Sequence, residues 1–248
     1  MISSVPAVDP AVRIQHGSPA SVEATWLGRI RYREAWELQH ELAAARADGR
    51  IGDQLLLLEH PAVLTLGRHA DEGHVLATRD ELDGRGIEVI RVERGGEVTY
   101  HGPGQLVAYP ILALAERQLL LRPLVRALEA AMIGTCAAFG VAAERLDGHP
   151  GCWCDATGPT PRKIGALGIR VERGVTYHGI ALNVDPDLCD FDLIDPCGMP
   201  GVASTSIARE LGFGRMADGD DAVQRAAGVF AARFSSAIGA PLAGFGST

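Results

Sequence analysis

Arg94-Gly-Gly-Glu-Val-Thr-Tyr-His-Gly-Pro-Gly-Gln-Leu-Val-Ala-Tyr109 is the stretch around which the chain is organised. Gly95, Gly96, Gly102 and Gly104 permit positive φ, or a close approach of backbone N–H groups to a ligand, where a Cβ would clash. Arg94, Thr99, His101 and Gln105 set polar side chains between those glycines. Leu106 to Ile111 is apolar throughout and predicts a buried strand that holds the loop from behind. A polar, glycine-rich loop fixed to a core strand is a common way to build a ligand site. For any one glycine, a plain hairpin turn is the commoner explanation. The stretch has no GxGxxG leading from a strand into a helix and no GxxxxGK[ST], so a phosphate cradle does not fit.

The totals narrow the field. A chain of 248 residues suits one large domain or two small ones, and 47% hydrophobic with 22% charged residues is ordinary for a globular protein. No apolar run reaches the length of a membrane span, and the N-terminus lacks a charged segment followed by an apolar one. The expected setting is therefore the cytoplasm, with no membrane partner. A net charge of −8 argues against nucleic-acid binding, which needs a basic footprint. Arg79, Arg85, Arg91 and Arg94, or Arg117, Arg122 and Arg126, could still make a local basic patch, although solvated surface is the plainer reading. Five cysteines in such a setting read as thiols. Cys136 belongs to an apolar helix face, Cys152-Trp-Cys154 is spaced too closely for a CxxC unit and reads as structural, and Cys189 has no companion that suggests chemistry. No metal site is expected.

Residues 1–20 lack periodicity and are expected to be a disordered extension, with 21–248 forming a single catalytic domain. Trp26 to Ile30 predicts a strand. Tyr32 to Ala47 predicts an amphipathic helix, with Ala35, Leu38, Leu42 and Ala45 on its apolar face. Gln54 to Glu59 and Ala62 to Leu66 are apolar strands split by His60-Pro61, read as a hairpin or bent ribbon; His60, Arg68 and His69 could face a pocket. Glu81 to Gly86 predicts a short helix and Ile87 to Val92 the strand that delivers the Arg94 loop. Pro123 to Phe139 is a helix with its stripe at Leu124, Leu128, Met132 and Cys136. The Gly- and Pro-rich run Asp147 to Arg162 reads as a loop long enough for a lid or recognition element.

Lys163 to Val171 and Val175 to Val184 predict strands. They carry an internal echo: Arg91-Val-Glu-Arg-Gly95 with Val-Thr-Tyr-His-Gly102, against Arg170-Val-Glu-Arg-Gly174 with Val-Thr-Tyr-His-Gly179. Two similar hairpins of one sheet would explain it. Thr205 or Ser206 is placed to cap a short helix ending at Gly212. Asp221 to Ile238 is the last helix, with its stripe at Val223, Ala227, Phe230, Phe234 and Ile238. Strands in groups with irregularly interspersed helices predict an α+β fold with a mixed β-sheet and flanking helices.

Two residues could carry nucleophilic chemistry. Cys197 lies between Pro196 and Gly198 in a turn after a strand. A thiol reacts as thiolate, and a free cysteine titrates at about pH 8.5, so Cys197 needs a cation or base; Lys163, His101 and His178 are candidates. Lys163 opens the run Ile164-Gly-Ala-Leu-Gly168 and is the one lysine in a chain that otherwise takes its positive charge from arginine. An ammonium beside a thiolate would favour the thiolate, and the neutral amine could accept a proton. Taken singly, a turn cysteine and a strand-end lysine are more often structural.

The assembled residues resemble the octanoyltransferases, the lipoyl(octanoyl) transferase family, from about Trp26 to Phe234. The most specific segment is Arg-Gly-Gly-x-x-Thr-Tyr-His-x-x-Gly-Gln-x-Val-x-Tyr from Arg94 to Tyr109. Arg162-Lys163-Ile-Gly-Ala-Leu-Gly168, His178-Gly-Ile-Ala-Leu-Asn183, and Pro196-Cys197-Gly198 followed by Thr205-Ser206 match further family motifs in order. The resemblance implies a biotin/lipoate protein ligase-like fold. It implies transfer of octanoyl from octanoyl-acyl carrier protein to a lysine of lipoyl domains, those of 2-oxoacid dehydrogenase complexes and the glycine cleavage H protein, by a monomer without cofactor. It also implies an acyl thioester on Cys197, a pKa-lowering role for Lys163, and an acyl chain lying along Arg94, Gly95, Gly96, Glu97, Val98, Thr99, Tyr100 and His101, along Ala166, Leu167 and Gly168, and along Gly179, Ile180 and Ala181. Cys152 and Cys154 replace residues usually aliphatic around the tryptophan, and residues 1–20 have no family counterpart. Two alternatives remain: an ATP-dependent lipoate or biotin ligase on the same scaffold, which needs no cysteine nucleophile, and a non-catalytic acyl-carrier-binding module.

Overall fold

The computed structural model describes residues 21–195, 202–213, 216 and 220–247. Residues 1–20, read as a disordered extension, and the turn carrying Cys197 lie outside the described residues. In chain order the elements are Val22–Arg29 (β1), Tyr32–Ala47 (α1), Asp53–Glu59 (β2), Val63–Leu66 (β3), Arg79–Arg85 (α2), Glu88–Arg91 (β4), Val98–His101 (β5), Gln105–Ile111 (β6) and Leu121–Ala138 (α3). Glu144–Leu146 (β7), His149–Cys154 (β8), Arg162–Glu172 (β9), Val175–Asn183 (β10), Ala203–Ser204 (β11), Ile207–Glu210 (α4), Asp220–Ala237 (α5) and Leu242–Ser247 (β12) follow. The α+β class and mixed sheet expected from the element order are what the structure has.

Among the described residues, nine strands form one sheet in the order β12-β1-β2-β6-β10-β9-β8-β7, with β11 beside β9. β1 runs parallel to β2 because α1 returns the chain to the same end before β2 begins, and it is also parallel to β12 on its other side. β2, β6, β10, β9, β8 and β7 then alternate antiparallel. A separate three-stranded sheet has the order β4-β3-β5. Helices α3 and α5 cover one face of the large sheet, burying Leu124, Leu128, Met132, Phe230 and Phe234 against Leu55, Leu57, Leu106 and Ile180. On the other face, α1 packs Ala35, Leu38 and Leu42 on Leu56, Leu58, Val107 and Tyr109. Its first turn also reaches the small sheet, where Tyr32 and Trp36 meet Val63, Ile90 and Val92. One helix thus wedges the two sheets apart along a shared cleft.

Several sequence expectations need correction. Gln54–Glu59 and Ala62–Leu66 do not form a hairpin: after His60-Pro61 the chain leaves the large sheet, and β3 pairs with β4 and β5 instead. The excursion ends at Gly104, whose N–H donates to the Glu59 carboxylate at 2.6 Å, so the chain leaves and rejoins the sheet at neighbouring points. A Cβ on Gly104 would come within 2.2 Å of the Asp185 carbonyl oxygen, and its φ is +85°. The run Asp147 to Arg162 is not all loop, because β8 occupies its first half and buries Cys152, Trp153 and Cys154.

The internal echo is not structural. In the second copy, Arg173 and Gly174, both at positive φ, close a tight hairpin between β9 and β10. The first copy carries two additional residues, Gly96-Glu97, and its strands β4 and β5 flank β3 without pairing with each other. The C-terminal strand β12 was not anticipated, since Leu242 to Ser247 is too rich in glycine to read as a strand. Ser206, not Thr205, caps α4, accepting from the Arg209 N–H at 3.2 Å.

Candidate active site

The cleft is walled by small residues on β9 and β10 and roofed by the loop leading into β5. Ala181 lies opposite Ala166 and Gly179 opposite Gly168 in the antiparallel register. The loop docks directly on this pair of strands: the Gly95 N–H donates to the Ile169 carbonyl at 3.3 Å. A Cβ at position 168 would sit 2.5 Å from the Gly95 carbonyl oxygen, so only glycine lets the roof come this close. Arg94 clamps the roof to the small sheet, its guanidinium donating to the Thr65 carbonyl at 2.6 Å, to the Thr65 hydroxyl at 2.9 Å and to its neighbour Gly95's carbonyl at 3.0 Å. Between floor and roof lies a narrow space, partly open to solvent and mostly apolar in lining.

Lys163 stands at one end of this cleft. Its strand pairs with β11, Ser204 lying beside Lys163, and the Thr205 N–H donates to the Lys163 carbonyl at 2.9 Å. An adjoining recess is lined by Thr99, Gln105, Lys163, Ala166, Asn183 and Ser204. Six residues further along β9, Ile169 faces His178, and Tyr109 and His178 line the other end. Strand geometry makes the separation about 20 Å at ~3.3 Å per residue.

Buried polar side chains link the cleft to the strand that flanks Lys163. His101 Nδ1 lies 2.8 Å from Gln105 Oε1, and Gln105 Nε2 donates to the Tyr100 carbonyl and to Asn183 Oδ1. Asn183 Nδ2 donates to the Thr205 carbonyl at 2.9 Å, the Thr205 hydroxyl to Glu210 at 2.6 Å, and Glu210 accepts from Nε and Nη2 of Arg162. Because the Gln105 amide is committed as donor on its nitrogen, its oxygen accepts, and His101 carries its proton on Nδ1.

The imidazoles near the cleft are held neutral. Burial, then the neighbouring His60, push His101 well below the ordinary histidine range against the Gln105 hydrogen bond. Burial takes His60 down to about 4 although its Nδ1 donates to the Ile30 carbonyl. Burial also lowers His178, opposed by Glu93. Burial works against the Glu93 carboxylate, yet His178 at 3.7 Å and a hydrogen bond from the Trp36 indole N–H at 3.1 Å bring it down to about 2.

This geometry can be set beside known proteins. The family model for the lipoyl protein ligase A/B catalytic domain matches residues 31–231. An octanoyltransferase from Chloroflexus aurantiacus is 51% identical over 188 residues, which is 75% of this chain and 83% of that protein. The octanoyltransferase of Mycolicibacterium gilvum is 47% identical over 212 residues, 85% of this chain and 84% of its own. The chain belongs to the octanoyltransferase family. Among solved structures, a bipartite lipoate protein ligase from Thermoplasma acidophilum superposes with a TM-score of 0.65 at 14% identity, covering 92% of this chain and 88% of its own. Lipoate-protein ligase A bound with ATP superposes at 0.63, also at 14% identity, over 93% of this chain and 89% of its own. These likenesses show the fold, which is that of the lipoate protein ligases.

Most of the residues proposed from octanoyltransferase motifs come together. Arg94, Gly96, Glu97, Val98, Thr99 and His101 form the roof side, and Ala166, Leu167, Gly168, Gly179, Ile180 and Ala181 the floor, with Lys163 at the end. Two do not line the space. Gly95 spends its backbone on docking the roof, and Tyr100 points into a different core, donating to Asp190 at 2.6 Å with Phe191 edge-on to its ring. Alternation along β5 sends Tyr100 away from its neighbours Thr99 and His101.

Sequence reasoning did not include Tyr32, Tyr109 and His178 among the lining residues, though all three line the cleft. Tyr109 closes the motif and was legible there; Tyr32 opens α1, and nothing in its local sequence separates it from a core residue. Arg68 and His69, considered as pocket-facing, are absent from the cleft lining, and His60 is buried behind it, 2.9 Å from the Tyr109 hydroxyl.

Proposed function

We propose that this chain transfers an octanoyl group from octanoyl-acyl carrier protein to a specific lysine of lipoyl domains, those of 2-oxoacid dehydrogenase complexes and of the glycine cleavage H protein, by way of an acyl-cysteine. Residues 21–248 act as one catalytic unit, a monomer in the cytoplasm. The observation that carries the reading is the apolar, glycine-walled cleft with Lys163 at its end, in a chain of the octanoyltransferase family. A narrow apolar groove suits an unbranched acyl chain and keeps water from the thioester. No helix among the described residues is long and apolar enough to cross a membrane.

In this mechanism the Cys197 thiolate, paired with the Lys163 ammonium, attacks the carrier thioester carbonyl. Backbone N–H groups of the Leu167 segment and Gly198 hold the oxyanion. The carrier thiol leaves with a proton from Lys163. The acceptor lysine then attacks the acyl-Cys197 thioester, and neutral Lys163 takes its proton. The thioester conserves the activation of the incoming acyl group, so ATP is not required. Ser204, seven positions after Cys197 in the chain, pairs with Lys163, which supports the pairing of roles.

Intact mass after mixing with octanoyl-acyl carrier protein, without ATP, tests this. Wild type should gain one octanoyl group and Cys197→Ala none. If neither is modified, and acceptor lysine is acylated only when ATP is supplied, the chain works as a ligase and the reading is wrong.

A further inference from the structure

We infer that Trp153 is a positioning residue for Lys163, its indole face holding the lysine's charged end in place at the mouth of the cleft. The inference rests on the role given above to Lys163 and deepens it. Lys163 Nζ lies 5.1 Å from the centroid of the Trp153 ring, within the range at which an ammonium is attracted to an aromatic face. The indole is completely buried and its N–H donates to the His149 carbonyl at 3.0 Å, so the ring cannot turn away.

The backbone around it serves the same contact. A register shift between Cys152 and Trp153 brings Trp153 opposite Lys163. Gly151 has φ +142°, and a Cβ there would come within 3.2 Å of Lys163 Cε and 2.6 Å of the Gly165 carbonyl oxygen. The Gly151 N–H is tied to buried Glu129 at 3.2 Å, and Glu129 is itself held by Arg126 and Arg145. The run from Gly151 to Trp153 is therefore a fixed shelf for one side chain.

That side chain is the one lysine among the chain's 23 lysine and arginine residues. Its uniqueness defines what the shelf guards against. An amine beside an acyl thioester can attack it: the C–S bond breaks, an amide C–N bond forms, and the amine proton passes to the released thiol. The product, an octanoyl-amide on Lys163, would be a dead end. Lys163 gives its proton to the departing carrier thiol and stands as a neutral amine while the thioester exists, so position is what prevents the attack: the indole holds Nζ away from the acyl carbonyl while leaving it able to take the acceptor amine's proton.

Having one ε-amine makes the test clean. Reductive ¹³C-methylation labels Lys163 and the chain's N-terminal amine and keeps the lysine charge. In wild type the Lys163 methyl signal should be shifted upfield by the indole ring current. In Trp153→Leu that shift should vanish, the single-turnover rate of acyl-enzyme formation should fall roughly 2- to 30-fold with the donor KM unchanged, and a hydroxylamine-resistant octanoyl adduct should accumulate on Lys163. Trp153→Phe, which keeps a ring face, should recover most of the rate.

An unshifted methyl signal in wild type would overturn the inference, and that measurement stands even if the leucine variant does not fold. So would a folded Trp153→Leu with wild-type rate and no amide. If Lys163→Ala itself forms acyl-enzyme at the wild-type rate, the role given to Lys163 is what fails.

Discussion

One hydrogen atom in place of a methyl group at position 168 allows the roof of the cleft to close. With the Gly95 carbonyl 2.5 Å from where a Cβ would stand, the obstacle to Gly168→Ala is backbone on both sides, and neither side is a flexible side-chain end. Overpacking of this kind costs about 1–3 kcal/mol. The roof, carrying Arg94 to Thr99, must lift from β9. Gly168→Ala should therefore lose most octanoyl transfer while unfolding at a temperature roughly 2–12 °C below wild type, at about 2–4 °C per kcal/mol for a chain of this size. Acyl-enzyme formation and a thermal melt together check it, and wild-type transfer by a folded variant would refute the docking argument. The glycine's spacing was visible in the motif. Its reason was not, because a Cβ clash with a loop 73 positions earlier in the chain exists only after folding.

At the scale of elements, strands β5, β6 and β10 and helix α1 enclose three histidines that share one electrostatic habit. His60, His101 and His178 are buried and neutral, each with its pKa lowered on folding. A histidine depressed in the native state binds its proton more readily in the unfolded chain, so stability falls as pH drops below the unfolded value near 6.5. For His60 the loss continues to about pH 4. Each such histidine contributes a slope of up to ~1.4 kcal/mol per pH unit within its window. Glu93, depressed to about 2, adds a second loss that begins only below the ordinary carboxylate range. Denaturant unfolding at pH 7.5, 6 and 5 should show stability dropping across this series, and His60→Gln should flatten the upper part of the fall. A flat profile from 7.5 to 5 would contradict the neutral burial. Helix periodicity foretold α1, α3 and α5 closely, whereas the histidines' burial depended on which elements came to face one another.

For the whole molecule, the sheet is buried unevenly. Every residue of β6 and β10 is buried, with α3 and α5 on one face and α1 on the other. At the ends of the sheet, among the described residues, β12 pairs only with β1, and β7 only with β8. Hydrogen exchange should accordingly find the slowest amides in β6 and β10 and the fastest strand amides in β7 and β12. Slow exchange at β7 matching that at β10 would mean that the edge is covered in solution by something further. The centre that resists opening is also the strand pair that carries Tyr109 and the floor residues Gly179 to Ala181, so the cleft stands on the most protected part of the fold.

What the sequence determined by itself was local: the apolar stripes that make α1, α3 and α5, the short helix stopped by Gly86, and the residue types of the Arg94–Tyr109, Lys163–Gly168 and His178–Asn183 segments. A periodic pattern states which face is buried but not against which partner. The allocation of β3 to a second sheet, the pairing of β12 with β1, the turning away of Tyr100 and the arrival of Trp153 under Lys163 were therefore decided only in three dimensions. Each depends on contacts between residues far apart in the chain, where burial and hydrogen bonding across sheets outweigh local preference.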